Sequence, residues 1–345
     1  MTIEWKDKVV LITGGTGSFG QAFAKYLLQK QQPKKLIIFS RDEMKQYEMQ
    51  KELQGPDHRV RYLIGDVRDP DRLHRAFSGV NIVIHAAALK IVPSAEYNPF
   101  EVIQTNVVGA ENVINMAIDN GVEKVIALST DKAANPINLY GASKLCAEKM
   151  FVSGNSYSPA GGTKFCVVRY GNVFNSRGSV VPFFKECRKR GVVPITDPRM
   201  TRFWITLQQG VEFVIRCVER MQGGEIFIPK LPSIRIVDLA QVICPESRQK
   251  IVGMRPGEKL HETLVPSDDW ANTFVFEDQF VTCPRIYPEV DTSELIKSGG
   301  LPLEPEFEGY KSDKNDRWLG VDELKEMLAQ QENLQSSLTS NQKSF

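Results

Sequence analysis

The sequence lacks the features that mark membrane, secreted and nucleic-acid-binding proteins. In 345 residues, no apolar run approaches the roughly 20 residues needed to span a membrane. The start, Met-Thr-Ile-Glu-Trp-Lys, lacks the charged-then-apolar pattern of a signal peptide. Because 43 Lys and Arg residues face 42 Asp and Glu, the net charge is only +1, without the basic surplus of a nucleic-acid binder. These absences predict a cytoplasmic protein with neither a membrane nor a nucleic-acid partner.

Cysteine and histidine are scarce and dispersed. The six cysteines form no C-x-x-C pair, and the four histidines are not grouped with them. A disulfide framework is not expected in a chain of this size, and no spacing of ligands indicates a zinc site. We therefore expect free thiols in a reducing compartment and a chemistry that uses no metal.

The remaining composition is that of an ordinary globular protein. Hydrophobic residues make up 42% of the chain and charged residues 25%, which is enough to bury a large core. The length corresponds to about two domains. The sequence shows no internal repeat.

The first half of the chain alternates short apolar strands with helical segments. Such alternation predicts a parallel sheet covered by helices on both faces, and right-handed crossovers make it a Rossmann-like, doubly wound α/β fold. Strands are predicted at 9–13, 36–39, 60–64, 81–85, 124–129 and 165–170, with a further strand at 225–228. Helices are predicted near 18–30, 42–53, 71–77, 99–120 and 206–221, and from about residue 139.

After residue 170 the alternation weakens and prolines become frequent. We expect residues 1–170 and 205–235 to form a Rossmann domain. Residues 171–204 and 236–328 are expected to form a smaller, discontinuous α/β domain that binds the substrate. The tail, 329–345, is rich in Gln, Ser and Asn and is expected to be disordered.

A glycine-rich turn lies directly between the first strand and the first helix, where a dinucleotide fingerprint is found. Gly14, Gly17 and Gly20 would make the turn, admit a pyrophosphate and let the helix pack on the strand. The intervening Thr16, Ser18 and Phe19 would also contact the cofactor. The spacing G-x-x-G-x-x-G resembles that of the extended short-chain dehydrogenase/reductases.

The end of the second strand favours NADP over NAD. NAD-selective proteins usually carry an acidic residue there, whereas this chain has Ser40, Arg41 and, four residues on, Lys45, which suit a 2′-phosphate. The alternative is a solvated basic helix start, in which Asp42 or Glu43 forms an ion pair with Arg41. Other strand ends would line the cofactor through Asp66, Val67, Ala86, Ala87 and Ala88.

A catalytic group is predicted where the fifth strand meets the next helix. Tyr140 and Lys144 are one helical turn apart and share a face. Deprotonating a free tyrosine at pH 7 costs about 4 kcal/mol. Lys144 and an oxidised nicotinamide, each at about 5 Å, would offset roughly 3 kcal/mol apiece. Tyr140 would then take an alcohol proton while hydride leaves, with Thr130 hydrogen-bonded to the same oxygen.

Two further ionisable residues, Asp131 and Lys132, follow Thr130 directly. Simple dehydrogenation or 4-epimerisation does not need them, so they suggest a second proton-transfer reaction. Once C4 of a sugar is a ketone, C5 loses its proton readily and the C6 hydroxyl can leave as water. Asp131 is expected to protonate that oxygen and Lys132, with a lowered pKa, to take the C5 proton. The alternative is an Asp–Lys pair that closes a turn.

The chain resembles the inverting UDP-N-acetylglucosamine 4,6-dehydratases of pseudaminic acid biosynthesis over about 330 residues. The motifs that carry the resemblance include TGGTGSFG, SRDEMKQ, HAAALK, STDKAANPINLYGASKLC, PITDPRMTRFWIT and RPGEKLHE. Other sugar-nucleotide 4,6-dehydratases have Asp-Glu in place of Asp131-Lys132, and the retaining, membrane-anchored relatives have Met in place of Tyr140. The resemblance therefore implies the inverting type.

The resemblance also implies a substrate site and an assembly. Lys90 would lie where cofactor and sugar meet, Val173 and Arg177 would line the nicotinamide, and the family is homo-oligomeric. The remaining substrate contacts implied are Thr105, Asn106, Asn172, Val180, Thr196, Arg202 and Arg255. A retaining 4,6-dehydratase and a UDP-sugar 4-epimerase remain as alternative activities, and an NADP-sensing binding module remains as a non-enzymatic alternative.

Overall fold

A computed structural model describes residues 3–53, 59–174, 176, 178–284 and 291–340, with side chains as far as residue 330. The described strands are β1 (Val9–Thr13), β2 (Lys35–Ser40), β3 (Val60–Ile64), β4 (Ile82–His85), β5 (Lys124–Thr130), β6 (Lys164–Tyr170), β7 (Asn172–Val173), β8 (Val192–Ile195), β9 (Thr201–Ile205), β10 (Ile226–Pro229), β11 (Ser233–Arg235), β12 (Arg248–Ile251), β13 (Thr263–Val265), β14 (Thr273–Val275), β15 (Gln279–Thr282), β16 (Leu301–Pro302) and β17 (Tyr310–Lys311). The α-helices are α1 (Ser18–Tyr26), α2 (Glu43–Leu53), α3 (Pro70–Phe77), α4 (Val92–Tyr97), α5 (Pro99–Ile103), α6 (Gly109–Asp119), α7 (Leu139–Tyr157), α8 (Val180–Arg188), α9 (Leu207–Arg220), α10 (Ile236–Ile243), α11 (Ser293–Lys297) and α12 (Val321–Ser340). Short π-helical segments, Leu27–Gln31 and Gln104–Val108, continue α1 and join α5 to α6.

Ten of the described strands form one sheet, in the order β16-β14-β15-β10-β6-β5-β4-β1-β2-β3. The seven strands from β10 to β3 in that order are parallel, and β15, β14 and β16 continue the sheet in antiparallel pairing. The inner strands are apolar throughout because helices cover both faces; Val10, Leu11 and Ile12 of β1, for example, have no exposed surface. The predicted Rossmann-like, doubly wound fold is confirmed.

The direction of winding reverses between β1 and β4, which are neighbours in the sheet although β2 and β3 separate them along the chain. In open α/β sheets a ligand crevice lies outside the carboxyl ends of the strands at such a point. The loops that follow β1, β2, β4, β5 and β6 therefore meet around one opening.

A second, smaller core lies beside the main sheet. It is built on two short sheets, β11-β9-β7 and β12-β8, together with α8, α10 and α12. Buried aromatic residues such as Phe174, Phe184 and Trp204 fill it. We take this second core as support for the predicted smaller domain, whose boundaries remain a prediction.

The structure differs from the sequence prediction in the second half of the chain. Strands β14, β15 and β16, which fall inside the predicted 236–328 segment, pair with the main sheet instead, because β15 lies against β10. Helix α12 also continues to Ser340, inside the tail 329–345 that was expected to be disordered, and the disorder of this tail stays a prediction. Residues 341–345 of the predicted tail lie outside the described residues.

Neither a membrane span nor a metal cluster is found in the described part of the chain. None of its helices is long and apolar enough to cross a bilayer. No group of three or more His, Cys, Asp or Glu residues within the described ranges is placed to hold a metal ion.

Candidate functional site

A cleft of about 1100 Å³ opens along the carboxyl ends of the central strands. The structure brings nearly all the predicted site residues to this cleft, from the glycine turn after β1 to Arg255 in the loop between β12 and β13. Four predicted residues, Asn106, Val180, Thr196 and Arg202, are not in its lining. Arg177 lies outside the described residues.

The turn after β1 leaves room for a pyrophosphate. Gly14 has a φ of 65°, and a Cβ there would lie 2.8 Å from Cα of Ala87. A Cβ on Gly20 would lie 2.4 Å from the carbonyl oxygen of Gly15, so α1 packs directly on the turn. Gly17 caps α1 without a side-chain hydrogen bond. The positive end of the helix dipole therefore faces the cleft, as a dinucleotide phosphate requires.

The side chains predicted to bind a 2′-phosphate are only partly available for it. Arg41 is half exposed, and its Nη1 lies 3.6 Å from Oδ2 of Asp66. Lys45 is paired with Asp42. Ser40 is buried and its hydroxyl accepts a hydrogen bond from Gln46 at 3.0 Å. Arg41 is therefore the most accessible of the three predicted side chains.

The junction of β5 and α7 brings the catalytic candidates together. Thr130 ends β5, and Asn138 caps α7 by accepting a hydrogen bond from the N–H of Gly141 at 2.8 Å. This cap starts α7 close to the 3-10 turn Asp131–Ala133. Gly141 makes the approach possible, because a Cβ there would lie only 2.2 Å from the carbonyl oxygen of Lys132. Tyr140 therefore stands beside Thr130, Asp131 and Lys132.

Burial has the largest effect on the pKa values of Tyr140 and Lys144. It raises the pKa of Tyr140 to about 12, although Lys132 and a hydrogen bond with Thr130 act to lower it. It lowers the pKa of Lys144 to about 8, against the opposing charge of Glu148. The groups that lower the pKa of Tyr140 are therefore Lys132 and Thr130, and not Lys144 as the sequence suggested.

The buried Asp131 forms an ion pair with the partly exposed Lys132, which also contacts Glu262 in the loop between β12 and β13. Nζ of Lys132 lies 3.0 Å from Oδ1 of Asp131 and 3.2 Å from Oε1 of Glu262. Burial alone would lower the pKa of Lys132, but these two carboxylates outweigh burial and raise it. The pKa of Lys132 therefore moves in the opposite direction to the one predicted from sequence.

Several buried polar atoms of the cleft lining have no hydrogen-bond partner within the described residues. They are Oγ1 of Thr105, Oγ of Ser129, Oδ2 of Asp131, Oδ1 of Asn172 and Oγ of Ser179. An unpaired buried polar group costs about 1–3 kcal/mol, so a cluster of them indicates a polar ligand. The lining thus suits hydroxyl-rich and phosphate-bearing groups.

Asn106 and Arg202 hydrogen-bond to backbone groups of the protein and do not line the cleft. The amide of Asn106 accepts from the N–H of Leu89 at 2.8 Å and donates to its carbonyl at 2.9 Å, which fixes the loop that carries Lys90. The guanidinium of Arg202 donates to the carbonyls of Thr201, Lys259 and Leu260. Val180 begins α8 and Thr196 follows β8, both away from the lining.

Sequence reasoning missed Glu262 and Lys259 as members of the site. Glu262 is 1% exposed, and Nζ of Lys259 lies 4.0 Å from its Oε2. Both belong to the RPGEKLHE segment, but nothing in that motif indicates that it folds back against Lys132. The burial of Glu262, a costly residue to bury without a partner, is visible only in the tertiary structure.

Comparison with known proteins places the chain in a family. Residues 10–284 match the family model described as "Polysaccharide biosynthesis protein". The chain is 52% identical over 329 residues to UDP-N-acetylglucosamine 4,6-dehydratase (inverting) of Campylobacter jejuni, covering 94% of this chain and 98% of that protein. It is 41% identical over 340 residues to UDP-glucose 4-epimerase of Rickettsia conorii, covering 96% and 98% of the two chains.

The fold agrees with these sequence relatives. The X-ray structure of Pen from Bacillus thuringiensis superposes with a TM-score of 0.87 and 35% identity, covering 96% of this chain and 99% of that one. The two chains therefore share a fold over nearly their whole length. The chain belongs to the polysaccharide biosynthesis protein family of extended short-chain dehydrogenase/reductases.

Proposed function

We propose that this protein is an inverting, NADP-dependent 4,6-dehydratase of UDP-N-acetylglucosamine. The product would be UDP-2-acetamido-2,6-dideoxy-β-L-arabino-hex-4-ulose, the first intermediate towards pseudaminic acid. The observation that carries the proposal is the Asp131–Lys132 ion pair, which lines the same cleft as Thr130, Tyr140 and Lys144. The relative from Campylobacter jejuni, with 52% identity, bears the name of this activity.

The first chemical task is to remove the proton of the C4 hydroxyl. When bound, the nicotinamide nucleotide would accept hydride from C4 and return it to C6. Tyr140 is the base for the hydroxyl proton, because its phenol faces the cleft beside Thr130 and Lys132. The positive charge of Lys132 already favours the phenolate, and Thr130 orients it through a hydrogen bond.

The second task is to move a proton from C5 and to release the C6 oxygen as water. Asp131 and Lys132 are the acid–base pair for this elimination, since both line the cleft and their charged atoms are 3.0 Å apart. Lys90, Thr105, Asn172 and Arg255 line the same space and are proposed to hold the sugar and the UDP. Arg255 is half exposed, and among the described residues its guanidinium has one ion-pair contact, at 3.8 Å to Glu258, so we propose that it binds phosphate.

The alternative activity is UDP-sugar 4-epimerisation, which the relative from Rickettsia conorii bears in its name. It would use Thr130, Tyr140 and Lys144 and would leave the C6 hydroxyl in place. The ion pair of Asp131 and Lys132 in the cleft would then take no part in the reaction. We therefore favour dehydration.

The test is to incubate the purified protein with UDP-N-acetylglucosamine in deuterated water and follow the sugar by NMR. We expect a 4-keto-6-deoxy product that carries deuterium at C5 with inverted configuration. A product with an intact C6 hydroxyl would support the epimerase instead. Deuterium at C5 with retained configuration would contradict inversion.

For the cofactor, we propose NADP with Arg41 as the contact for the 2′-phosphate. We expect Arg41→Met to weaken NADP binding about 10- to 100-fold, the value of a charged hydrogen bond, and to leave NAD binding unchanged. Lys45→Met is the matched control, because Lys45 is already paired with Asp42 and should change NADP binding much less. Calorimetric titration with both nucleotides measures the four ratios, and equal losses for NADP and NAD would contradict the assignment.

We also propose that the protein works in the cytoplasm as a homo-oligomer. The large apolar side chains of α4 and α5 are exposed, with Tyr97 at 85% and Phe100 at 83%. Contiguous exposed aromatic residues of this kind favour contact with a second copy. Light scattering of the purified chain checks this, since a monomer mass would contradict it.

A further inference from the structure

The loop between β12 and β13 is tied to the segment that leads into α7. Nδ2 of Asn138 donates to the carbonyl oxygen of Gly257 at 2.7 Å, and Nζ of Lys259 donates to the carbonyl oxygen of Ala134 at 2.6 Å. Neither Asn138 nor Lys259 is among the described residues that line the cleft. The two bonds therefore hold the loop against the start of α7 from outside the space that a substrate would occupy.

Asn138 uses both ends of its side-chain amide. Its Oδ1 accepts from the N–H of Gly141 at 2.8 Å and so caps α7, while its Nδ2 makes the bond to Gly257. These partners fix the orientation of the amide, because an N–H needs an acceptor and a carbonyl needs a donor. A single side chain thus joins the helix that carries Tyr140 to the loop that carries Arg255.

Gly257 belongs to the same turn as Arg255. The N–H of Glu258 donates to the carbonyl oxygen of Arg255 at 3.2 Å, and Oε2 of Glu258 accepts from the N–H of Arg255 at 3.4 Å. Gly257 has a φ of 78°, and a Cβ there would lie 3.1 Å from Cβ of Asn138 and 3.4 Å from Cγ1 of Val92. The turn 255–258 is therefore closed on itself and packed closely against the cap of α7.

We propose that Asn138 is a positioning residue that couples the binding of UDP at Arg255 to the placement of Tyr140. The inference rests on the proposed function, in which Arg255 binds the diphosphate and Tyr140 takes the C4 proton. A diphosphate held by Arg255 restrains the turn 255–258, and the bond from Asn138 to Gly257 transmits that restraint to the first turn of α7. Binding energy from a part of the substrate that does not react is thus used to hold the base in place.

Asn138→Ser separates this coupling from helix capping. Serine is a good N-cap, because its hydroxyl accepts from a backbone N–H of the first turn, but its shorter side chain has no amide to donate to Gly257. With UDP-N-acetylglucosamine we expect kcat to fall by about 10-fold or more, since a small displacement of a catalytic group is costly. The dissociation constant of UDP, measured by calorimetric titration, should stay within about 3-fold of wild type because Arg255 is unchanged.

A role in capping alone predicts a different result. If Asn138 only caps α7, Asn138→Ser has the kcat of wild type, and that outcome would overturn the inference. A wild-type protein that binds no UDP would overturn the proposed function as well. A wild-type protein that binds UDP and forms the 4-keto-6-deoxy product keeps the proposed function, whatever the variant does.

Gly257→Ala tests the same contact from the side of the loop and does not depend on the Asn138 variant folding correctly. Gly253→Ala is the matched control, because Gly253 lies in the same loop with a φ of 83°, but a Cβ there would meet no atom within 4 Å in the described part of the chain beyond its own neighbours. Both variants carry the strain of a positive φ, and only Gly257→Ala places a methyl group against Asn138. We expect kcat of Gly257→Ala to be about 10-fold or more below that of Gly253→Ala, and equal values would contradict the coupling.

Hydrogen exchange measures the coupling without turnover. UDP lacks the sugar that the proposed function places beside Tyr140, so any effect of UDP on the start of α7 must be transmitted through the protein. Saturating UDP should slow exchange of the amide of Gly141 about 3-fold or more in wild type and less than about 2-fold in Asn138→Ser. Equal slowing in the two proteins, or none in wild type, would refute the role of Asn138.

Discussion

Replacing Gly141 by Ala is expected to reduce turnover by about 100-fold or more while nucleotide binding persists. A Cβ at this position would lie 2.2 Å from the carbonyl oxygen of Lys132 and 3.2 Å from Cβ of Pro136. The carbonyl oxygen of Lys132 belongs to the backbone and cannot rotate away as a side chain could. The start of α7 must therefore move away from the 3-10 turn Asp131–Ala133. Tyr140 would then lose its place beside Thr130 and Lys132, and a displacement of about 1 Å is enough for such a loss.

The glycine turn after β1 is not in contact with Gly141, so binding of the nucleotide should remain close to wild type. Gly210→Ala is the matched control, because Gly210 also lies in a helix but a Cβ there would meet only Cδ1 of Ile205 at 3.8 Å. Initial rates and nucleotide titrations of both variants make the comparison. Wild-type turnover in Gly141→Ala would show that catalysis does not require α7 to lie this close to the 3-10 turn Asp131–Ala133.

Replacing Arg169 by Met is expected to lower the free energy of unfolding by about 3–5 kcal/mol. Arg169 on β6 and Glu148 on α7 form a two-pronged ion pair, with Nε–Oε1 at 3.0 Å and Nη2–Oε2 at 2.6 Å. Both side chains are at most 4% exposed. Without Arg169, the carboxylate of Glu148 would be buried with no compensating guanidinium beneath the helix that carries Tyr140 and Lys144. Urea unfolding of the variant and of wild type measures the difference.

The double variant Glu148→Gln/Arg169→Met separates the buried charge from lost packing. It should recover about 2 kcal/mol or more of the loss, since no unpaired charge remains. Its remaining deficit would include the carbonyl of Leu264, which accepts from Nη1 of Arg169 at 2.8 Å in the wild type. A double variant as unstable as the sum of the two single variants would contradict a specific pair.

Much of the Rossmann half could be predicted because its signals are local. The strand Val60–Ile64 has the predicted bounds, β2 is one residue longer than predicted at each end, and β5 is one residue longer at its carboxyl end. Apolar runs and helix caps depend on neighbours in sequence, so a single chain is enough to read them. The glycine turn and the spacing of Tyr140 and Lys144 are local in the same sense.

The second half was less predictable because its partners are distant in sequence. Strand β15 joins the main sheet through β10, and the short strands around it carry no periodic pattern of their own. Arg202 suits a phosphate by composition, yet three backbone carbonyls take its donors. Ser40 lines the cleft, but its hydroxyl accepts a hydrogen bond from Gln46.

The sequence alone was sufficient to predict the type of fold, the nucleotide turn and the five catalytic candidates. The turn and the catalytic candidates each lie within a single strand–turn–helix segment, so their positions depend on neighbours in sequence. The catalytic candidates are Thr130, Asp131, Lys132, Tyr140 and Lys144. The tertiary structure was needed for the charge on Lys132. Its pKa depends on Glu262, which lies in the loop between β12 and β13 at 3.2 Å from the ammonium. It also depends on the opposing charge of Arg202. Electrostatic interactions depend on distance through space and on burial, and neither quantity can be read along the chain.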